Sequence, residues 1–260
     1  MLEPYRRIYF LGIGGVGMSG LANWCKVKLM KEIAGYDRKD SLFTNQLKAN
    51  NIFIQHNQSI KLIPSEFLDD KKTLIVYTPA ISQSNLLYKF FKKKQFQIIK
   101  RADLLGLISQ SYCVIAISGT HGKTTTSIML AHILKSSGLN VSALFGGISK
   151  NYNSNFICGQ KNTSNNHQYM VVEADEYDRS FLKLHPIITL ITSLDKDHVE
   201  TYSSEEDMLA AYVQFILVNT LKNENKSFNN LQKNKKTFPH VFMPTKVYDK
   251  LNEFICHSEK

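Results

Sequence analysis

Short apolar blocks at residues 7–13, 31–37 and 73–79 alternate with stretches of helical spacing that begin near Gly17 and Asn85. Blocks of this length, bounded by glycine, proline or charge, predict strands, and their alternation with helices predicts parallel β-α-β units. The pattern then restarts. Residues 113–119, 141–147, 169–175 and 187–193 read as strands, with helices at 123–137 and from about 204 to 218. Each series opens with its own strand, glycine turn and helix. The expected fold class is therefore α/β, with two doubly wound units in tandem and a boundary near residues 109–112. A Rossmann-like parallel-sheet domain is expected over 1–110 and a P-loop α/β domain over 111–220. Residues 151–167, rich in Asn, Ser and Gly, read as a surface loop. Beyond 219 Lys and Asn dominate without a helical or strand period, and 221–260 is expected to be a divergent, poorly ordered tail.

Composition narrows the class. The chain has 260 residues, 43% of them hydrophobic, enough for packed cores. No apolar run approaches the roughly 18–20 residues that span a bilayer, and the start lacks a signal-type segment, so a cytoplasmic protein without membrane insertion is expected. Cys25, Cys113, Cys158 and Cys256 show none of the short pair spacings of zinc sites or disulfide frameworks. The formal charge of +10 comes from scattered lysines. The run Lys92-Lys93-Lys94 reads as a solvated helix end, and no basic and aromatic groove points to nucleic acid.

The first glycine turn is Gly12-Ile13-Gly14-Gly15-Val16-Gly17, a G-x-G-x-x-G at a strand–helix junction. Glycines there let the backbone approach a pyrophosphate, toward which the helix directs its free N–H groups. Asp37 ends the second strand about twenty residues later, where a carboxylate would accept a ribose hydroxyl. Taken alone this favours NAD or FAD, against the alternative of a tight turn with no ligand.

The second turn carries the stronger signal. Strand 113–118 delivers Gly119, Thr120, His121, Gly122, Lys123, Thr124 and Thr125 onto a helix, an arrangement in which successive amides nest around the phosphates of ATP. Lys123 would reach the β- and γ-phosphates, and the Thr124 hydroxyl would complete the shell of Mg²⁺. The loop is shorter than the generic P-loop, with Ile117 in the place of the first glycine. Strand 169–175 ends in Glu173-Ala174-Asp175-Glu176, and the next strand ends near Asp195-Lys196-Asp197-His198. In a parallel sheet these ends emerge on the same edge as the phosphate loop, so their oxygens and the His198 imidazole could hold metal against phosphate. Asp175, Glu176 and Asp178 also read as a solvated acidic turn. Glu173, ending an apolar strand, is costly to bury without a cation beside it.

Together Tyr9-Phe-Leu-Gly-Ile-Gly-Gly-Val-Gly-Met-Ser19, Val76-Tyr-Thr-Pro-Ala-Ile81, Gly119-Thr-His-Gly-Lys-Thr-Thr-Thr126, Glu173-Ala-Asp-Glu-Tyr-Asp-Arg-Ser-Phe-Leu182 and Asp195-Lys-Asp-His198 resemble the Mur ligase family over about residues 5–218. The resemblance revises the first turn. It implies that Gly12, Gly14, Gly15, Val16, Gly17, Met18, Ser19, Asp37, Thr78, Pro79, Ala80, Ile81 and Arg101 line or support the uridine-nucleotide side of UDP-N-acetylmuramate, with no nicotinamide. It further implies that ATP phosphorylates the muramoyl carboxylate and that an amine attacks the acyl phosphate. Lys123, His121 and His198 would be catalytic, with Thr124 and Glu173 on one Mg²⁺ and His198 on a second. Residues 205–218 contain no lysine where peptide-extending members carry a modified one. That favours L-alanine as the amine, with a ready-made tripeptide as the alternative.

Family members continue through the rest of the central sheet into a third domain. The resemblance therefore reads this chain as C-terminally truncated, with an incomplete central ligase domain. Little stand-alone ligase activity is expected unless a separate chain supplies the remainder. Three other readings compete: a dinucleotide-dependent oxidoreductase, a non-catalytic nucleotide-binding fragment and, third, a P-loop nucleic-acid motor.

Overall fold

The computed structural model describes residues 2–160, 167–195, 201–225 and 240–258, without the side chains of 218–225 and 257–258. Two compact units emerge, Met1–Leu107 with Leu144–Cys158, and Ile108–Ala143 with Gly159–Lys260.

In the first unit β1 (Arg7–Leu11), β2 (Glu32–Tyr36), β3 (Phe53–Gln55), β4 (Thr73–Tyr77) and β5 (Ile98–Lys100) form a parallel sheet in the order β3-β2-β1-β4-β5. Ile8, Tyr9, Phe10 and Leu11 are all buried, as a central strand covered on both faces requires. One face packs Tyr9, Leu11, Tyr36 and Ile75 against Phe67, Leu87, Phe91 and Phe96. The helices are α1 (Val16–Lys28), α2 (Leu42–Ala49), α3 (Leu86–Lys93) and α4 (Arg101–Ser109). Side chains start two of them. Ser41 and Thr44 form a reciprocal capping box at α2, and the Asn85 side chain accepts from the Leu87 and Tyr88 amides at α3. By contrast α1 begins at Gly15 with no side-chain cap, so its amides remain available to a ligand.

The second sheet runs β11-β10-β6-β9-β7-β8, where β6 is Cys113–Ser118, β7 Val141–Ser149, β8 Ser154–Ile157, β9 Tyr169–Glu173, β10 Ile188–Ile191 and β11 His240–Phe242. Strands β11, β10, β6 and β9 are mutually parallel. Helices α5 (Lys123–Ser136), α6 (Glu205–Asn225) and α7 (Thr245–Ser258) complete the set. Strand β7 begins in the second unit, and the chain passes into the first between Ala143 and Leu144.

Two expectations change. The polar stretch 151–167 contains β8, whose inward positions are Asn155 and Ile157; burying an asparagine erased the alternation that would have marked a strand. Of the stretch 221–260, expected to be poorly ordered or only partly folded, residues 240–258 supply β11 and α7, and α7 anchors itself through buried Val247 and Leu251. None of the four cysteines forms a disulfide, and no helix among the described residues is long and apolar enough to cross a membrane.

Candidate functional site

The first unit places its glycine turn at the carboxyl edge of β1. Amides of Gly12 and Ile13 donate to the Tyr36 carbonyl at 2.8 and 3.1 Å, tying the turn to the end of β2. Asp37 then reaches over, and its Oδ2 accepts the Gly14 amide at 2.7 Å. This carboxylate braces the glycine turn from the end of β2. Thr78 and Ile81 pack against Gly12, with Pro79 and Ala80 exposed in the turn between them. The Arg101 guanidinium lies against Gly17 in the first turn of α1, where a Cβ would displace it. Met18 and Ser19 face inward. The Ser19 hydroxyl donates to the Val16 carbonyl at 3.0 Å and accepts from Asn155 Nδ2 at 2.9 Å. Gly15 and Val16 therefore stay at the rim, Ser19 supports from behind, and Asn155 is a supporting residue that the motif did not indicate.

In the second unit the phosphate loop leaves β6 at Gly119, whose φ of +119° and contact with Thr192 and Ser193 exclude any side chain. The end of β10 staples the loop in place. Thr120 N–H donates to the Ser193 carbonyl at 3.0 Å, and His121 N–H donates to the Ser193 hydroxyl at 3.0 Å. Thr192 Oγ1 donates to the His121 carbonyl at 2.5 Å, while Thr120 Oγ1 accepts the Asp195 amide at 2.9 Å and donates to its carbonyl at 3.0 Å. The first helical bond of α5 runs from Thr126 N–H to the Gly122 carbonyl at 3.0 Å. Amides of Lys123, Thr124 and Thr125 thus have no carbonyl one turn behind them, and the helix dipole adds positive charge at the same place.

Lys123 folds back. Its Nζ donates to the Gly119 carbonyl at 2.6 Å and to Glu176 Oε1 at 2.8 Å. Glu176 is 1% exposed, so it is a buried counter-charge and not part of a solvated acidic turn. The Tyr202 hydroxyl donates to the Glu176 carbonyl at 2.7 Å, and the Arg179 guanidinium stacks 5.4 Å from the Tyr202 ring centre while pairing with Asp207 at 2.6 Å. Burial pushes the Tyr202 and Tyr212 phenols up, and the Glu176 charge adds to the effect in both. Asp178 and Arg179 hold the chain in the left-handed region, φ +53° and +52°. Strain of this kind persists only where surrounding contacts over-determine it. Asp175 caps the turn by accepting the Tyr177 amide at 3.1 Å.

Thr124 Oγ1 lies 3.0 Å from both Glu173 carboxylate oxygens. These are hard oxygen donors next to the helix N-terminus, the chemistry a phosphate-bound Mg²⁺ prefers. Among the described residues no three His, Cys, Asp or Glu side chains form a metal cage, so a cation here would draw its remaining oxygens from phosphate and water. His121 is exposed, with Nε2 3.8 Å from Asp195 Oδ2. His198 lies outside the described residues. Besides Asn155, the residues that sequence reasoning missed are Thr192, Ser193 and Tyr202: the first two follow β10 and act from a neighbouring strand's end, and no spacing rule links them to the loop.

The chain matches the Mur ligase family catalytic domain over residues 7–112 and the Mur ligase middle domain over residues 117–249, the latter reaching into the stretch expected to diverge. It is 44% identical over 214 residues to the UDP-N-acetylmuramate--L-alanine ligase of Flavobacterium johnsoniae, covering 82% of this chain and 46% of that protein. With its Flavobacterium psychrophilum counterpart it shares 40% over 227 residues, 87% of this chain and 48% of that one. The chain thus spans about half the length of the curated relatives it matches. Among solved structures, the UDP-N-acetylmuramate-alanine ligase of Thermotoga maritima superposes with a TM-score of 0.70 at 26% identity, over 81% of this chain and 47% of that chain. A UDP-N-acetylmuramate:L-alanyl-gamma-D-glutamyl-meso-diaminopimelate ligase from Neisseria gives 0.72 at 24%, over 82% of this chain and 68% of that one, a likeness of fold.

Proposed function

The chain belongs to the Mur ligase family, and from that premise we propose that it serves the ATP-dependent ligation of L-alanine to UDP-N-acetylmuramate, an amide-forming step of peptidoglycan precursor synthesis in the cytoplasm. One observation carries the reading. Lys123 and Thr124 from α5, Glu173 from the end of β9 and Glu176 just beyond it converge within hydrogen-bonding distance at the carboxyl edge of one parallel sheet. Such edges are where phosphoryl ligands bind in open α/β sheets.

In this mechanism the amides of Lys123, Thr124 and Thr125 hold the β- and γ-phosphates of ATP. A muramoyl carboxylate oxygen attacks the γ-phosphorus, ADP leaves, and Lys123 swings from Glu176 to offset charge on the transferring group. The alanine amine then attacks the acyl carbon, phosphate departs and the amine proton is lost, leaving an amide. Mg²⁺, when bound, neutralises phosphate charge; Thr124 and Glu173 would hold it, with His198 on a second ion. His121, exposed on the loop, is placed to meet the acceptor carboxylate. Gly12, Gly14 to Ser19, Asp37, Thr78 to Ile81 and Arg101 form the uridine-nucleotide side. Alanine is favoured over the tripeptide by the 40–44% identity to relatives that carry alanine in their names.

Isothermal titration tests the reading. The chain is expected to bind Mg²⁺ with a non-hydrolysable ATP analogue and, independently, UDP-N-acetylmuramate, while ignoring NADH. Binding of NADH in place of the sugar nucleotide would return the first turn to dinucleotide chemistry.

A further inference from the structure

The geometry points to Lys250 on α7 as a positioning residue that sets the shape of the phosphate loop from behind. The loop is held by the end of β10, where Thr192, Ser193 and Asp195 all bond to it. Between Ser193 and Asp195 sits Leu194, buried at 4% exposure. Lys250 Nζ donates to that carbonyl at 2.7 Å and pairs with Glu205 Oε1, at the start of α6, at 2.5 Å.

Placement of the lysine follows from packing. Strand β11 runs parallel to β10 in the register Ile188↔His240, and the His240 amide donates to the Ile187 carbonyl at 2.9 Å. The chain then turns through Pro244, whose carbonyl accepts the Val247 and Tyr248 amides at 2.9 and 3.1 Å, and enters α7. Val247 and Leu251 bury themselves one helical turn apart, and Lys250 projects beside them. Its pairing with Glu205 is half exposed and contributes little by itself. Its bond to the Leu194 carbonyl is charge-assisted and ties α7 to the segment 192–195 that stitches the loop down. A loop whose amides must point at phosphate loses affinity when its supports drift, because preorganisation is lost.

This inference rests on the reading of Gly119 to Thr125 as an ATP site, and two readouts keep the two apart. The first is hydrogen exchange at the Thr120 and His121 amides, both bonded to Ser193 and both reporting loop order without any ligand. The second is affinity for Mg²⁺ with a non-hydrolysable ATP analogue. Lys250→Met should speed exchange at both amides and weaken analogue binding by about fivefold to tenfold, less than a whole charge-assisted hydrogen bond because the bond supports the loop and does not touch the ligand. Lys250→Arg should restore both, and UDP-N-acetylmuramate affinity should not move. Were Lys250→Met to fail to fold, Glu205→Gln removes the second anchor and should give the same changes in smaller measure. Unchanged exchange in these variants overturns the brace whatever the nucleotide does. Faster exchange in a chain that binds no analogue leaves the brace standing and removes the ATP reading instead.

Discussion

The glycine turn after β1 and the phosphate loop after β6 follow the same plan, a buried parallel strand turning through glycines onto an uncapped helix, yet they handle charge in opposite ways. At the first turn a carboxylate is resident: Asp37 accepts the Gly14 amide, and the Arg101 guanidinium lies at the other end, against Gly17. At the second a cation is resident and held in reserve, Lys123 folded onto loop carbonyls and buried Glu176. A site with a fixed acid and a fixed base suits a ligand that offers hydroxyl or amide donors beside a phosphate, as a sugar nucleotide does. A site with a releasable lysine and a Thr–Glu oxygen pair suits a triphosphate whose charge shifts during reaction.

The sharpest way to break this contrast is at Lys123. Lys123→Met should abolish alanine-dependent phosphate release in any assembly that shows it, by about 10²–10³-fold or more. It should also destabilise the second unit by about 3 kcal/mol, because it leaves the Glu176 charge buried without its lysine. Lys123→Met with Glu176→Gln should recover most of the stability and none of the turnover. If the single variant melts with the wild type, Glu176 is not the counter-charge described here.

Gly119→Ala comes next. Its φ of +119° and the close Thr192 and Ser193 contacts predict a loss of about 2–3 kcal/mol and of nucleotide binding, read by chemical denaturation and titration. Gly15, whose φ of −64° is ordinary and whose nearest neighbours would meet a Cβ at 3.6 Å or more, should accept alanine with little change in stability. Equal costs at the two positions would erase the distinction between a stapled loop and an open turn.

Long buried strands were legible because β1, β4, β6 and β9 are apolar along most of their length, and both glycine turns were legible because they sit where such strands end. Three-residue edge strands β3, β5 and β11 were not: three positions cannot display a period. Helix α2 hid behind a Ser41–Thr44 capping box that lacks the usual acidic partner, and β8 behind its buried Asn155. At the site, Lys123, Thr124 and Glu173 could be named from residue type and strand end. Glu176 read equally well as a solvated acid, and only the fold reveals that Lys123 bends back to meet it. Tyr202 and the β10 staples were invisible for a related reason, since their partners are distant in sequence.

A smaller effect belongs to Asp37. Asp37→Ala should cost about 1 kcal/mol by stripping the Gly14 amide of its acceptor, and should weaken UDP-N-acetylmuramate by about tenfold. Affinity for the ATP analogue should stay constant. Unaltered UDP-N-acetylmuramate binding would mean that the carboxylate is a turn cap with no bearing on the ligand.

The smallest effect concerns Asp207, whose bond from Arg179, followed by the Ser203 amide, holds its carboxyl below the ordinary value of 3.8. A carboxyl depressed by folding contributes stability above that ordinary value, and the contribution is lost as pH falls through the lower folded value. The pair is partly exposed, so the contribution is modest. It nevertheless reports on the strained Asp178–Arg179 turn, because Asp207 fixes the Arg179 side chain that stacks on Tyr202, and Tyr202 in turn holds the Glu176 carbonyl. Asp207→Asn should melt slightly below the wild type at neutral pH, and the gap should close in acid, once the wild-type carboxyl is protonated. A gap that persists unchanged into strong acid would show that the aspartate acts through shape and not charge, and would detach this network from the electrostatics that hold Lys123 in reserve.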